Sequence, residues 1–226
     1  MDGSGAMGEG ALPVITVITP TCGRPFGIAL AERWMARQTV KPDRWIVADG
    51  GETPAPLTMG QEQRWSPSAP GPANFAGNVL RALEGVTGAV VVIEDDDHLA
   101  PSHIEACLQG LEKGDHGCEW LRYWNVQFKA WKEIRNIGSS LAQTATRDIP
   151  RLRAAAEAAL AAGDYTIDGR FWDGRKARGP KTVVGIKGLP GIKGLGMGHR
   201  PGKGWHPDPA GRKLREWIGT DAEAYR

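Results

Sequence analysis

The stretch Val90-Val91-Val92-Ile93 runs without a break into Glu94-Asp95-Asp96-Asp97. β-Branched apolar residues in an unbroken row suit a strand covered on both faces, as in a parallel sheet; a half-exposed strand would alternate. Carboxylates in a row repel one another. They stay together at low cost only where a cation neutralises them or water screens them. The end of a parallel strand is where open α/β sheets bind ligands, which favours the cation. Alternation off the strand end sets Glu94 and Asp96 on one side and Asp95 and Asp97 on the other. Oxygen donors clustered in this way suit Mg²⁺ or Mn²⁺, held by one or two carboxylates together with substrate phosphates. A solvated acidic turn capping the next helix is the plainer reading of an isolated acid run. The buried strand ahead of it tips the balance to the metal.

At 226 residues the chain suffices for one α/β domain with an appendage. A hydrophobic fraction of 41% and a charged fraction of 24% are those of an ordinary soluble protein. No apolar run approaches the roughly 20 residues that cross a bilayer. Residues 1–12 are Gly-rich and lack the basic start and apolar core of a signal peptide, which reads as a flexible lead-in to a cytoplasmic protein. Cys22, Cys107 and Cys118 have no zinc-like spacing and are expected as free thiols, with His116 and Cys118 on a surface loop. Charge is unevenly spread. Residues 1–169 carry 15 Lys/Arg and 21 Asp/Glu, net −6, and residues 170–226 carry 13 and 5, net +8. A basic tail on an acidic body suits a polyanionic partner, a diphosphate or a nucleic acid.

In chain order, Val14–Thr19 reads as the first strand, stopped by Pro20-Thr21-Cys22-Gly23-Arg24-Pro25, and a helix follows over Phe26–Gln38. Arg44–Ala48 is a second strand ending in Asp49, an acceptor for ribose or base hydroxyls and amides or a turn residue before Gly-Gly. Residues 53–72, with five prolines, read as a loop. A helix over Asn74–Glu84 carries Asn78, with Asn74 as its cap, and another spans Pro101–Leu111. Trp120–Ile134 reads as a long strand or hairpin, Ser139–Thr146 as a polar strand, and Ile149–Ala162 as a helix ending at Gly163. Tyr165–Gly174 gathers acids, cations and aromatics without periodicity, as a functional loop would. After a strand at Thr182–Ile186 the pentad Gly-Ile-Lys-Gly-Leu occurs twice, from Gly185 and from Gly191. Its glycines and the cations Lys187, Lys193 and Arg200 suit an anion-binding nest, with His199 beside them as a metal ligand. A short helix is expected at 211–219.

Thr-Pro-Thr after the first strand, Ala-Asp-Gly after the second, a helix with an Asn, and an apolar strand running into acids with Pro101 beyond: in this order the chain resembles the GT-A glycosyltransferases, the family-2-like group that uses nucleotide-diphospho-sugars. The resemblance covers 14 to about 111 well and the rest loosely. It implies a GT-A-like, Rossmann-like α/β fold: a mixed, mostly parallel sheet flanked by helices, with 13–180 as catalytic domain and 181–226 as its basic Gly-rich closing segment. Glu94-x-Asp96 stands where the family has Asp-x-Asp, so Asp96 would hold Mn²⁺ or Mg²⁺ on the diphosphate, with Glu94 facing ribose or metal and Asp95 beside them. Thr19, Pro20, Thr21 and Arg24 would lie against the base, a UDP-sugar being favoured, with Asp49 and Asn78 also on the donor. His199 matches the family's late metal-binding histidine, and Lys187, Lys193 and Arg200 would hold the leaving diphosphate. A carboxylate must take the acceptor's proton. Asp168 is the choice, with Asp173 and Asp148 in reserve. The end segment also resembles small phage-type proteins, some of which glycosylate hydroxymethylated pyrimidines in DNA, so DNA is a candidate acceptor and a host cytoplasm a candidate location. The competing readings are a nucleotidyltransferase, which would want a Gly-rich loop after the first strand, and a non-catalytic nucleic-acid-binding module, which the acids oppose.

Overall fold

The computed structural model describes residues 14–190 and 202–225. The first sheet has the order β3-β2-β1-β4-β8. β1 (Ile15–Thr21), β2 (Arg44–Asp49), β3 (Glu62–Trp65) and β4 (Ala89–Val92) run parallel, and β8 (Ala145–Thr146) is antiparallel at the edge. The second sheet has the order β10-β7-β6-β9-β5. In it β6 (Trp120–Asn125) and β7 (Ala130–Arg135) form a hairpin, flanked by β9 (Val183–Lys187), β5 (Asp97–Leu99) and β10 (His206–Pro207). Mixed α/β, mostly parallel in its first sheet and flanked by helices, is the architecture expected from the sequence.

β4 shows why its sequence is apolar throughout. Val90 and Val92 face α2 (Pro72–Ala82) and α4 (Ile149–Ala162) in one core, and Ala89, Val91 and Ile93 face α1 (Pro25–Ala36) and α3 (His103–Leu111) in the other. All five are wholly buried. Each valine so covered on folding contributes about 1.5–3 kcal/mol, so a polar residue at either parity would be expelled. α4 is set by its ends. Asp148 accepts the Arg151 amide at 3.1 Å as N-cap, and Gly163 closes it in the left-handed region at φ +67°. The C-terminal α6 (Arg212–Ile218) and the 3-10 turn Gly219–Tyr225 pack on α1, where Trp34 Nε1 donates to Tyr225 Oη at 2.9 Å. Asp221 accepts from Arg37 at 2.5 Å and lies 3.0 Å from His98 Nε2.

Several local expectations change. Residues 53–72 are not all loop: β3 lies among the prolines, as an exposed edge strand where missing amides cost little. The polar strand over 139–146 is a 3-10 turn, Leu141–Gln143, and the two-residue β8. Tyr165–Gly174 contains a short helix, α5 (Ile167–Phe171), anchored by buried Ile167 and Phe171. Asn74 sits inside α2, whose N-cap is Gly71. His116 and Cys118 are buried, His116 against Gly110 and Gly179, and burial lowers its pKa to about 4. The three cysteines are free, as expected. No described helix is long and apolar enough to cross a membrane.

Candidate active site

With order 3-2-1-4 in the parallel strands, the connections turn opposite ways at β1 and β4. Their C-terminal ends open a crevice, the usual ligand position of such sheets. The acids stand there. After Ile93 the chain leaves the first sheet, turns over Glu94–Asp96 and enters the second as β5, with Asp97 opposite Gly185 of β9. The turn breaks strand alternation. Oxygens of Glu94, Asp96 and Asp97 therefore converge within 4.8 Å of one another, and Asp95 alone points away. The expected pairing of Asp97 with Asp95 is corrected accordingly.

Asp95 is 1% exposed and ties the turn to the end of β1. It accepts from Thr21 Oγ1 at 2.5 Å and from Arg24 at 3.1 Å. The other three acids meet Lys187. Its Nζ is 2.9 Å from Asp96 Oδ1, 3.0 Å from Asp97 Oδ1 and 3.6 Å from Glu94 Oε2. Burial and neighbouring acids push the Glu94 and Asp97 carboxyls upward against the pull of Lys187. Burial works against the Lys187 ammonium, but the three carboxylates outweigh it and hold its pKa well above the ordinary lysine value. The sequence reading put Lys187 in a glycine-rich nest. It instead ends β9, bonded to acids, because the first copy of the repeat is taken up into the sheet. Lys193, Arg200 and His199 lie outside the described residues.

The crevice has two lobes that share Arg24, Phe75, Glu94 and Tyr165. The first, about 210 Å³, lies between the loop after β1 and the start of α2, lined by Pro20, Thr21, Cys22, Asn74 and Asn78. The second, about 430 Å³, runs from Asp96, Asp97 and Lys187 over the second sheet to Asp168, passing Arg122, Ser140 and Gln143. Phe75 and Tyr165 stand 6.2 Å apart, centre to centre, at the waist. Asn78 is fixed by donating to the Thr21 carbonyl at 2.7 Å and to Asn74 at 2.9 Å. Gln143 is 5% exposed, and its Oε1 has no hydrogen-bond partner among the described residues. Asp168 accepts the Gly169 amide at 2.8 Å; burial raises its pKa, against that bond. Of the three carboxylates considered as base, Asp168 lines this lobe. Asp148 is spent on the α4 cap and on Arg175 at 2.8 Å, and Asp173 is exposed.

Two expected donor contacts stand behind the crevice wall. Thr19 is fully buried and accepts from Trp45 Nε1 at 2.9 Å. Asp49 is also fully buried; Oδ1 takes the amides of Gly23 (2.7 Å) and Gly51 (2.8 Å), and Oδ2 that of Ala55 (2.7 Å). The carboxylate expected on a ribose or base thus clamps two loops, because Gly23 and Gly51 touch so closely that a Cβ on Gly51 would lie 2.4 Å from Gly23. Asp49→Ala would leave three amides unpaired, and is expected to lower stability by about 3 kcal/mol in urea unfolding. A loss under about 1 kcal/mol would mean the amides find other acceptors.

No family model and no curated protein matches this sequence. Among solved structures it is similar to glucosyl-3-phosphoglycerate synthase from Mycobacterium tuberculosis, in complex with Mn²⁺, UDP and glucosyl-3-phosphoglycerate: 18% identity, 50% of this chain, 44% of that one, TM-score 0.34. Mannosyltransferase PcManGT from Pyrobaculum calidifontis, with GDP-Man and Mn²⁺, gives 16% identity over 80% of this chain and 59% of that one, TM-score 0.48. TarS of S. aureus gives 12% identity over 75% and 36%, TM-score 0.47. The chain spans less than two thirds of each of these structures.

Proposed function

We propose that this chain is an enzyme that transfers a sugar from a nucleotide-diphospho-sugar to a hydroxyl acceptor with the help of Mn²⁺ or Mg²⁺. One observation carries the reading: a two-lobed crevice at the strand-order reversal, with three converging carboxylates in the second lobe, Glu94 among them shared with the first, and a further carboxylate, Asp168, across that second lobe. Hard oxygen donors within one ion's reach of each other fit either metal. Glu94, Asp96 and Asp97 would hold it. Bound there, it would neutralise the diphosphate as that group departs.

The rest of the chemistry belongs to the chain. The first lobe takes the nucleoside between the Pro20–Arg24 loop and the start of α2, with Arg24, Asn74 and Asn78 in its wall. Uridine is the nucleoside favoured by the sequence resemblance. The sugar then lies at the waist, against the edge that Phe75 and Tyr165 form together. Asp168 takes the proton from the acceptor hydroxyl as the bond to the anomeric carbon forms. Lys193, Arg200 and His199 remain proposed contacts to diphosphate and metal. Hydroxymethylated DNA is the acceptor suggested by the basic last third. Part of that charge is internally matched, however: Arg175 with Asp115 and Asp148, Lys181 with Glu133, Lys213 with Glu216 and Lys187 with the acid turn. A neutral hydroxyl compound suits the described surface as well.

The test is binding and hydrolysis of a panel of nucleotide sugars, with Mn²⁺ and with EDTA, followed by acceptor trials that include hydroxymethylated DNA. The expected result is metal-dependent binding and slow turnover of one donor. If no donor binds under either condition, the glycosyltransferase reading falls, and salt-sensitive DNA binding becomes the property to measure.

A further inference from the structure

The acid turn already contains a cation that belongs to the chain. We infer that Lys187 is a tethered counter-ion standing in the place of the divalent metal, so that metal and lysine compete for Glu94, Asp96 and Asp97. The inference rests on the metal centre proposed above and adds how that centre is filled and emptied.

Geometry carries it. Carboxylate oxygens that share one Mn²⁺ or Mg²⁺ lie about 2.0–2.2 Å from it, so they sit within about 4–4.5 Å of one another. Those of Glu94, Asp96 and Asp97 come within 4.8 Å, and the ammonium is in hydrogen-bond contact with two of them, near the third. A divalent ion bound by the same oxygens would stand within a few ångström of that ammonium, two like charges with no group between them. Burial makes this repulsion strong, since the Lys187 side chain is 8% exposed and Asp96 3%. One of the two cations must leave.

The fold lets the lysine leave without unfolding. Its backbone is held in β9, paired with β6 on one side of the sheet position and close to β5 on the other. Only the four-carbon stem needs to swing. Gly185, two residues back on the same face, gives that stem room: a Cβ there would lie 3.3 Å from Lys187 Cε and 2.7 Å from the Tyr123 ring. Lys187 also lines the second lobe, so the displaced ammonium has an open space to enter. The lysine thus keeps the acids paired in the metal-free protein, and metal arrival delivers an amine to the reaction lobe.

The test uses Mn²⁺ alone, by calorimetry and by paramagnetic resonance of the free ion, on wild type and Lys187→Met. Removing the competitor is expected to tighten Mn²⁺ binding by at least about tenfold, and to make the thermal midpoint rise more on adding Mn²⁺ than it does in wild type. Mn²⁺ bound equally well, or more weakly, by the variant overturns the inference and leaves the metal centre standing. Mn²⁺ bound by neither protein overturns both. Should Lys187→Met not fold, wild type alone decides. Acetylation of Lys187, followed by mass spectrometry, is expected to be slow without metal and to accelerate when Mn²⁺ saturates the site. Protection that survives Mn²⁺ binding overturns the inference.

Discussion

Asp96→Asn is expected to abolish metal-dependent turnover, lowering kcat/KM by about a thousandfold or more while the protein still folds. The size follows from the role. A metal that neutralises a departing diphosphate supplies several kcal/mol in the transition state, and each 1.4 kcal/mol is about tenfold in rate. The position explains the choice. Asp96 is 3% exposed, lines the second lobe, and shares the turn with Glu94 and Asp97, whose oxygens converge with its own. Asn keeps the shape and one acceptor oxygen but removes the charge. Folding should survive because Lys187 retains Asp97 at 3.0 Å and Glu94 at 3.6 Å as partners. The measurements are donor turnover with Mn²⁺, Mn²⁺ affinity, and the thermal midpoint. Turnover lost together with Mn²⁺ binding, at a near-native midpoint, is the expected set. Full turnover in Asp96→Asn would remove this carboxylate from the reaction.

How far the sequence leads depends on the range of the interaction that decides each residue. β4 was legible because its burial on two faces is a local pattern, four β-branched residues in a row, and its place inside the sheet between β1 and β8 follows. α4 was legible at both ends because a cap residue and a closing glycine act within a turn. The convergence of Asp97 with Glu94 and Asp96 was not. It depends on the chain crossing from one sheet to the other at the acid turn, which alternation along a single strand does not contain. Lys187 was hidden in the same way. Its partners lie some ninety positions earlier, and its sequence neighbours, a glycine on either side at 185 and 188, look like a loop. Asp49 stood open between two readings, a ligand contact and a turn residue before Gly-Gly, and in the fold its carboxylate accepts three backbone amides of its own loops. Gln143 and Phe75 gave no signal, since nothing in a polar segment or a helix face distinguishes a crevice wall from a solvated one, whereas Tyr165 opens the stretch whose mixed acids, cations and aromatics already read as functional.

Asp168→Asn is the variant that separates chemistry from binding. If Asp168 takes the acceptor's proton, kcat falls by about 10²–10⁴, the usual worth of a positioned base, while donor and Mn²⁺ affinity stay at wild-type values. The metal and donor contacts proposed above are elsewhere, at the acid turn and in the first lobe, so nothing they would need is removed. The pH dependence adds a second readout. The base acts only when ionised, and burial raises the Asp168 pKa, with the Gly169 amide opposing. The rise in wild-type kcat/KM with pH is therefore expected to come above the ordinary aspartate range, with activity lost as pH falls through that raised value. In Asp168→Asn the limb due to this group disappears. Asp173→Asn serves as the control: it is exposed and outside the second lobe, and should leave both rate and profile unchanged. A wild-type rate in Asp168→Asn, or a loss in Asp173→Asn of comparable size, would take the base away from α5. A fall in donor affinity without a fall in kcat would make Asp168 a binding residue. The raised pKa would then reflect only the cost of burying a carboxylate.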